Sequence, residues 1–339
     1  MADSLKVGII GIGRIGKIHA GNIAHFVDGA ELAGVADPFL NPEGEAFVRS
    51  LGAGKLTKDP KELLNDPSID AIVICSSTDT HADYVVAAAQ AGKHIFCEKP
   101  IDLSVPKVKA ALEAVKKAGV QLQVGFNRRF DHNFKRVRDL TLAGEVGQVQ
   151  VVKITSRDPA PPPPSYVAVS GGIFIDMMIH DFDMARFQAG SEVTEVYAAG
   201  SVLIDPEIGK AGDVDTAIVT LKFASGAIGV IDNSRKAVYG YDQRVEVFGS
   251  KGAAVAQNDT PSTALLYNEK GVIGDKPLYF FLERYKQAFI DEMESFVEAL
   301  TRNKPVPVTG NDGLEDLYVA LGAAKSLKEQ RPVKLEELK

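Results

Sequence analysis

The chain has 339 residues, of which 45% are hydrophobic and 24% charged, which is typical of a globular protein with room for two domains. Its net charge of −7 argues against nucleic acid or an anionic membrane as the main partner. No apolar run approaches the roughly 20 residues that cross a bilayer, and the start MADSLKVGI lacks the features of a signal peptide. We therefore expect a cytoplasmic protein in which Cys75 and Cys97 are buried, reduced thiols.

A glycine motif follows the first predicted strand. The apolar residues 7–10 lead directly into GIGRIG, with glycines at 11, 13 and 16, and a helix-length segment comes next. A second apolar run, residues 31–36, ends in Asp37. This order of strand, G-x-G-x-x-G, helix, strand and acid is typical of dinucleotide binding, because the glycines admit a pyrophosphate and the acid accepts from a ribose hydroxyl. The alternative is an ordinary glycine-rich turn.

Strands and helices alternate through the first part of the chain. This pattern predicts a doubly wound parallel sheet, which we assign to a domain of residues 1–125. The predicted strands after residue 37 are 71–77, 94–98 and 121–126, and the predicted helices are 41–51, 82–90 and 105–118.

The pattern changes after about residue 126. A helix at 133–143 and a strand at 148–156 precede four prolines, residues 161–164, which cannot join the interior of a sheet. We predict a second α/β domain, residues 126–339, with a large, open and mainly antiparallel sheet. Its further predicted elements are a helix at 173–187, strands at 195–202, 215–223, 227–233 and 244–248, and closing helices at 289–300 and 313–329.

Lys99 follows a predicted parallel strand in the segment CEKP. Ligands bind at the carboxyl ends of the strands in open α/β sheets, and a lysine there can donate to a hydroxyl and lower its pKa. The alternative is a solvated lysine beside a turn proline. We also expect the Lys99–Pro100 peptide to be cis, because the chain must turn there from the strand into the cleft.

Asp176 and His180 are four residues apart on the predicted helix 173–187, so they would share one face. His180 is suited to accepting a proton at neutral pH, and Asp176 could orient it. A buried structural histidine is the alternative. Asp181 and Asp183 point elsewhere around such a helix and are expected to cap it or to pair with arginines. A metal site built from these four residues matches no familiar zinc motif.

Three further polar segments could contact a substrate. Arg128 and Arg129 lie at the predicted domain junction, where they could face a polar ligand or form ion pairs between the domains. Asp158 and Tyr239 each follow a predicted strand, although such residues are more often ordinary parts of loops.

Taken together, these segments resemble the Gfo/Idh/MocA oxidoreductase family. The matching stretches are GIGRIG, Asp37, CEKP, VGFNRRF and GGIFIDMMIHDFDMARF, in the order of the family. The resemblance extends over essentially the whole chain and is greatest to bacterial inositol 2-dehydrogenases, on the stretch SRDPAPPPPSYV before SGGIFIDMM. It implies a Rossmann domain and a sheet domain whose open face helps to form homotetramers. Met177 stands where some members have a small hydroxyl residue.

The resemblance also implies a set of site residues. The implied catalytic residues are Lys99, Asp176 and His180, which should converge on one pocket above the nicotinamide. We assign NAD binding to Gly11, Gly13, Arg14, Ile15, Asp37, Ser76, Ser77, Thr78, His81 and Glu98. We assign substrate contacts to Asn127, Arg128, Asp158, Met177 and Tyr239, and no metal. NAD is expected over NADP, because Asp37 would repel a 2′-phosphate.

The expected activity is the NAD-dependent oxidation of one secondary hydroxyl of a polyol, the cyclitol myo-inositol, to its ketone in inositol catabolism. Three alternatives remain. One is a sugar dehydrogenase of the same family acting on a pyranose or an anhydrosugar. Another is a regulator that binds dinucleotide without turnover, although such a sensor has no need of Lys99, Asp176 and His180 together. The third is a metal-dependent lyase, whose activity a chelator would abolish.

Overall fold

A computed structural model describes residues 4–339, which fall into two units. The first contains the residues up to Asn127 together with Gln287–Glu315, and the second contains Arg128–Lys286 and Asp316–Lys339. The border at 127/128 is close to the border at 125/126 expected from the sequence. The segment Gln287–Glu315 was expected in the second domain but groups with the first unit.

The first part of the chain alternates strands and helices as predicted. Its strands are β1 (Leu5–Ile10), β2 (Ala30–Ala36), β3 (Lys55–Thr57), β4 (Ala71–Ile74), β5 (His94–Glu98) and β6 (Leu122–Gly125). Its helices are α1 (Arg14–His25), α2 (Pro42–Ser50), α3 (Lys61–Leu64), α4 (Thr78–Gln90) and α5 (Val105–Ala118). The strands form one parallel sheet in the order β3-β2-β1-β4-β5-β6, which confirms the doubly wound fold.

From residue 127 onward the strands are more numerous. The helices are α6 (His132–Leu142), α7 (Pro164–Ser170), α8 (Ile179–Ala189), α9 (Pro206–Lys210), α10 (Phe281–Arg284), α11 (Lys286–Thr301) and α12 (Gly310–Glu329). The strands are β7 (Val149–Arg157), β8 (Val193–Ser201), β9 (Thr216–Phe223), β10 (Ile228–Ser234), β11 (Asp242–Gly249), β12 (Gly252–Ala256), β13 (Leu265–Asn268), β14 (Gly271–Gly274) and β15 (Val333–Lys334). Short 3₁₀ segments occupy Asn127–Phe130 and Leu335–Glu337.

The large sheet of the second unit has the order β12-β11-β7-β10-β9-β8-β15. Only the β7–β10 pair among these neighbours is parallel, so the predicted open, mainly antiparallel sheet is confirmed. Residues of β9 alternate between buried and exposed, which leaves one face of the sheet open. β13 and β14 form a separate antiparallel hairpin.

Apolar packing explains why Gln287–Glu315 belongs with the first unit. Met293 and Phe296 on α11 are fully buried in one core with Val7 and Phe96, and the rings of Phe96 and Phe296 lie 5.8 Å apart. The periodicity of α11 in the sequence indicates a buried face but carries no information about which sheet covers it.

The predicted helix 173–187 is interrupted. Residues Ile173–Met177 form a π-helical turn, in which the Met178 amide donates to the Ile173 carbonyl at 2.8 Å, and α8 begins only at Ile179. Two glycines with positive φ, Gly171 (+88°) and Gly172 (+74°), precede the turn. The helix α7 was not predicted, because the proline run masks its start at Pro164. Among residues 4–339, no helix is long and apolar enough to span a membrane.

Candidate active site

The glycine turn between β1 and α1 has the shape that a dinucleotide requires. Gly11 has a φ of +92°, and a Cβ there would lie 2.6 Å from the Cys75 carbonyl carbon. A Cβ on Gly16 would lie 2.0 Å from the Gly11 carbonyl oxygen. By contrast, a Cβ on Gly13 would meet nothing within 4 Å. The first and third glycines are therefore required by packing within the turn, whereas Gly13 leaves open space beside the helix.

The start of α1 can receive an anion. Gly13 is the N-cap, no side chain caps the helix, and the first turn carries no acidic residue. Amide groups at such a terminus are available to a phosphate and carry partial positive charge. Arg14 is exposed and Ile15 partly buried in this first turn. The turn therefore fits the pyrophosphate of NAD.

Asp37 is fixed at the end of β2. Its carboxylate accepts from the Ile12 amide at 2.7 Å and from the Phe39 amide at 2.8 Å. These bonds hold the side chain against the backbone of the glycine turn. The position fits an acceptor for the ribose hydroxyls, as predicted from the spacing.

The loop after β4 is organised by hydrogen bonds. The Ser76 and Thr80 hydroxyls lie 2.7 Å apart, and Ser77 and Thr78 begin α4. His81 is buried, with Nδ1 2.8 Å from the Pro100 carbonyl and Nε2 2.9 Å from the Ser76 carbonyl. Because both ring nitrogens face carbonyl oxygens, His81 joins the two loops that follow β4 and β5. A contact of His81 with the cofactor remains a prediction.

Lys99 is half-buried immediately after β5, and the Lys99–Pro100 peptide is cis, as predicted. Glu98 beside it is held by His19, whose Nε2 lies 2.7 Å from Oε1. Glu292 completes a buried cluster, with Oε1 4.0 Å from His19 Nε2. Burial, and then the charge of Glu98, raises the pKa of Glu292 well above its usual range. Sequence reasoning missed His19 and Glu292, although His19 lies on the same helix as the glycine motif.

In the second unit, Asp176 lies within the π-helical turn. Its Oδ1 accepts from the Tyr166 hydroxyl at 3.0 Å, and its Oδ2 lies 3.7 Å from Nη1 of Arg235. His180 lies in the first turn of α8 and is half-buried. The helix around this pair is therefore not a regular α-helix, because Asp176 lies in the π-helical turn. The orientation of His180 by Asp176 remains a prediction. Sequence reasoning also missed Arg235, for which its position directly after strand β10 was the available signal.

The two arginines at the predicted junction form ion pairs within the second unit. Arg128 Nη1 donates to Asp181 at 2.6 Å, and Arg129 binds Asp183 through two nitrogens. The predicted arginine partners of these aspartates are thus confirmed, and both pairs lie on one side of the unit border. Guanidinium groups at Asp181 and Asp183 disfavour the metal site considered from sequence. A substrate contact by the buried Arg128 remains a prediction.

Asp158 is the predicted substrate residue that carries a carboxyl group, and the pKa of this group is shifted strongly. Burial raises its pKa to about 7, the nearby charges of Asp176 and Asp181 add to that effect, and Arg128 and Arg235 oppose it. A carboxyl group with such a pKa can donate or accept a hydrogen bond near neutrality.

The other predicted substrate residues differ in how accessible they are. The Tyr239 hydroxyl donates to Asp242 at 2.6 Å and accepts from Arg157 at 3.1 Å. Asn127 and Met177 are buried, with 4% and 6% exposure. All three remain predictions as substrate contacts.

The two cysteines are free, and burial raises the pKa of both thiols well above the usual range. Buried, reduced thiols were expected from the sequence; Cys97 is buried, whereas Cys75 is only partly buried. Neither cysteine is therefore a candidate nucleophile.

Comparison with known proteins agrees with this geometry. Residues 5–126 match the model of the oxidoreductase family with an NAD-binding Rossmann fold, and residues 134–255 match the GFO/IDH/MocA C-terminal domain. The chain is 53% identical to a myo-inositol 2-dehydrogenase of Thermotoga maritima, over 98% of this chain and 99% of that protein. It is 47% identical to an inositol 2-dehydrogenase of Rhizobium meliloti, over 98% and 99%.

A solved structure extends the comparison to a complex. The scyllo-inositol dehydrogenase of Lactobacillus casei, with bound NAD(H) and scyllo-inositol, superposes with a TM-score of 0.91 at 31% identity, covering 98% of this chain and 100% of that one. The two family models together match more than half of the chain. With a glycine turn and an acid that fit NAD, this chain belongs to the Gfo/Idh/MocA family of oxidoreductases.

Proposed function

We propose that this protein is an NAD-dependent dehydrogenase that oxidises one secondary hydroxyl of a cyclitol, with myo-inositol as the substrate and the 2-ketone as the product. The observation that carries the proposal is the similarity to inositol 2-dehydrogenases along essentially the whole chain. The uncapped helix after Gly13 and the oriented Asp37 support NAD as the cofactor. When bound, NAD supplies the acceptor for the hydride.

We assign three residues to the proton chemistry. His180 accepts the hydroxyl proton as general base, and Asp176 orients it and favours its protonated form. Lys99 donates to the hydroxyl oxygen and stabilises the developing alkoxide by its charge. Asp158 and Arg128 offer hydrogen bonds to the other hydroxyl groups, and the neutral form of Asp158 can serve as a donor.

The alternative activities have less support. A non-catalytic sensor does not require Lys99, Asp176 and His180 together. A metal-dependent lyase would need ligands near Asp176. In the part of the chain that the structure describes, the two groups with metal-compatible geometry are His19, Glu98, Glu292 and Asp131, His132, Asp259. Neither contains Asp176 or His180. A pyranose dehydrogenase of the same family remains the closest competitor.

We further propose that the chain forms a homotetramer through the open face of its large sheet, and that it acts in the cytoplasm in inositol catabolism. Exposed apolar side chains on five of the seven strands of this sheet support the assembly: Tyr197, Ile218, Ile228, Phe248 and Val255. Light scattering should give the mass of four chains. The mass of a single chain would contradict the assembly.

The substrate is tested by a panel of inositol isomers and aldoses with NAD, in which absorbance of the reduced cofactor is followed. We expect the greatest catalytic efficiency with myo-inositol. Greater efficiency with a pyranose would favour the sugar dehydrogenase, and no turnover with any polyol would favour the sensor.

Removing the general base should abolish most of the turnover. His180→Ala and Lys99→Ala are each expected to lower kcat by about 10²–10⁴-fold, because losing a general acid–base group has that effect. Binding of NAD, measured by calorimetry, should change little. His132→Ala is the matched control, since this side chain is 65% exposed on α6 and lies outside the proposed site. Near-normal oxidation by His180→Ala would refute the assignment.

Cofactor choice should depend on the charge of Asp37. Asp37→Ser should weaken NAD binding and narrow the preference over NADP, because the repulsion of a 2′-phosphate disappears. Asp37→Asn separates the two effects, since it removes the charge but keeps one oxygen that can accept from the Ile12 or Phe39 amide. Catalytic efficiencies with both cofactors are the measurement. Equal use of NAD and NADP by the unaltered chain would contradict the prediction.

Asp158 should make stability depend on pH. Its pKa is about 7 in the folded chain and about 3.9 when unfolded, so the folded state holds an extra proton between these values. The stabilisation is fully present below about pH 4 and is lost as the pH rises through about 7, with a maximal slope of about 1.4 kcal/mol per pH unit. Asp158→Asn should flatten the decline in the free energy of unfolding between pH 5 and pH 8. An unchanged slope in that variant would contradict the prediction.

A further inference from the structure

Arg235 is a buried cation beside Asp176 of the proposed catalytic pair. It follows strand β10, and its side chain is 1% exposed. One guanidinium nitrogen, Nη1, lies 3.7 Å from Oδ2 of Asp176, and Nη2 donates to Oδ2 of Asp213 at 3.4 Å. A single guanidinium therefore bridges two carboxylates that are 37 residues apart in the sequence.

Asp213 connects the same group to the backbone of the π-helical turn. Its carboxylate oxygens accept from the Ile173 amide at 2.9 and 3.1 Å, at the first residue of that turn. A Cβ on Gly172 would lie 2.8 Å from Asp213 Oδ1, and the φ of +74° there also favours glycine. The start of the turn is therefore held by Asp213, while Arg235 reaches from Asp213 to Asp176.

The charge of Arg235 matters as much as its position. It is in electrostatic contact with three carboxyl groups, those of Asp158, Asp176 and Asp213. Charges interact strongly in a poorly solvated site, so removal of the cation would leave a strongly negative potential around the proposed base.

We propose that Arg235 is a positioning residue that sets the proton affinity of the Asp176–His180 pair and fixes Asp176 against the π-helical turn. This inference rests on the proposed function, in which His180 is the base. The guanidinium offsets the charge of Asp176, so that His180 is neutral and able to accept a proton at physiological pH. In the second unit, Tyr166 and Arg235 contact Asp176, and Asp213 shares the guanidinium of Arg235. Asp158 interacts electrostatically with Asp176, and also with Arg128, Asp181 and Arg235.

The test is the pH profile of kcat for oxidation of myo-inositol by the full chain with saturating NAD. Arg235→Gln removes the positive charge, which favours protonated His180. The acidic limb of the profile should therefore move to higher pH by about one unit, as expected for one charge at several ångströms in a partly buried site. Arg235→Lys keeps the positive charge but loses the planar guanidinium that bridges Asp176 and Asp213. Its kcat should therefore fall, while the acidic limb of the pH profile stays at the same pH.

Asp213→Asn changes the local charge in the opposite direction to Arg235→Gln. This test does not require the Arg235 variants to be stable. It removes a negative charge, and its amide oxygen can still accept from the Ile173 amide. The acidic limb should therefore move to lower pH. Arg136→Gln is the matched control, because Arg136 is exposed on α6, and its profile should coincide with that of the unaltered chain.

The outcomes separate this proposal from the proposed function. If His180→Ala retains turnover, the base assignment fails and this inference fails with it. If the acidic limb depends on His180 but does not move in Arg235→Gln or in Asp213→Asn, the proposed function stands and Arg235 has only a structural role. Opposite shifts in these two variants, with NAD binding unchanged, would support the proposal.

Discussion

The close contact between two glycines in the first unit determines how a dinucleotide can be held. A Cβ on Gly16 would lie 2.0 Å from the carbonyl oxygen of Gly11, so the start of α1 packs directly against the end of β1. This packing places the uncapped helix start beside the open space at Gly13. Asp37 is tied to the same turn through the Ile12 amide. The packing of the two glycines, the anion site at the start of α1 and the position of Asp37 as the ribose acceptor therefore all depend on one backbone contact.

The second unit keeps several buried carboxyl groups close together, and their charges are compensated in different ways. Asp181 and Asp183 are neutralised by Arg128 and Arg129 at short distance. The pKa of Asp158 rises instead, so that this group sheds its charge near neutrality. Breaking one partner of a buried pair leaves an uncompensated charge, which is strongly destabilising. The arrangement of charges thus restricts which of these buried side chains can be substituted without loss of stability.

The sequence predicted the features that depend on neighbours along the chain. The motif from Gly11 to Asp37, the cis peptide after Lys99 and both sheets follow from local spacing and periodicity. The partners of buried polar groups could not be predicted from the sequence, because the fold alone brings distant residues together, as in the pairs His19–Glu292 and Asp213–Arg235. The π-helical turn at Asp176 was missed because it differs from an α-helix by a single residue in one turn. Likewise, the apolar face of α11 predicts burial without naming the sheet that buries it.

The central claim is that a hydride passes from a ring carbon of a cyclitol to NAD, while side chains of this chain accept the proton of the hydroxyl group. The most direct measurement uses myo-inositol carrying deuterium at carbon 2, with mass spectrometry of the reduced cofactor. The account predicts one deuterium on the reduced nicotinamide and none lost to solvent. Reduced cofactor without deuterium, or no reduction of NAD at all, would contradict it.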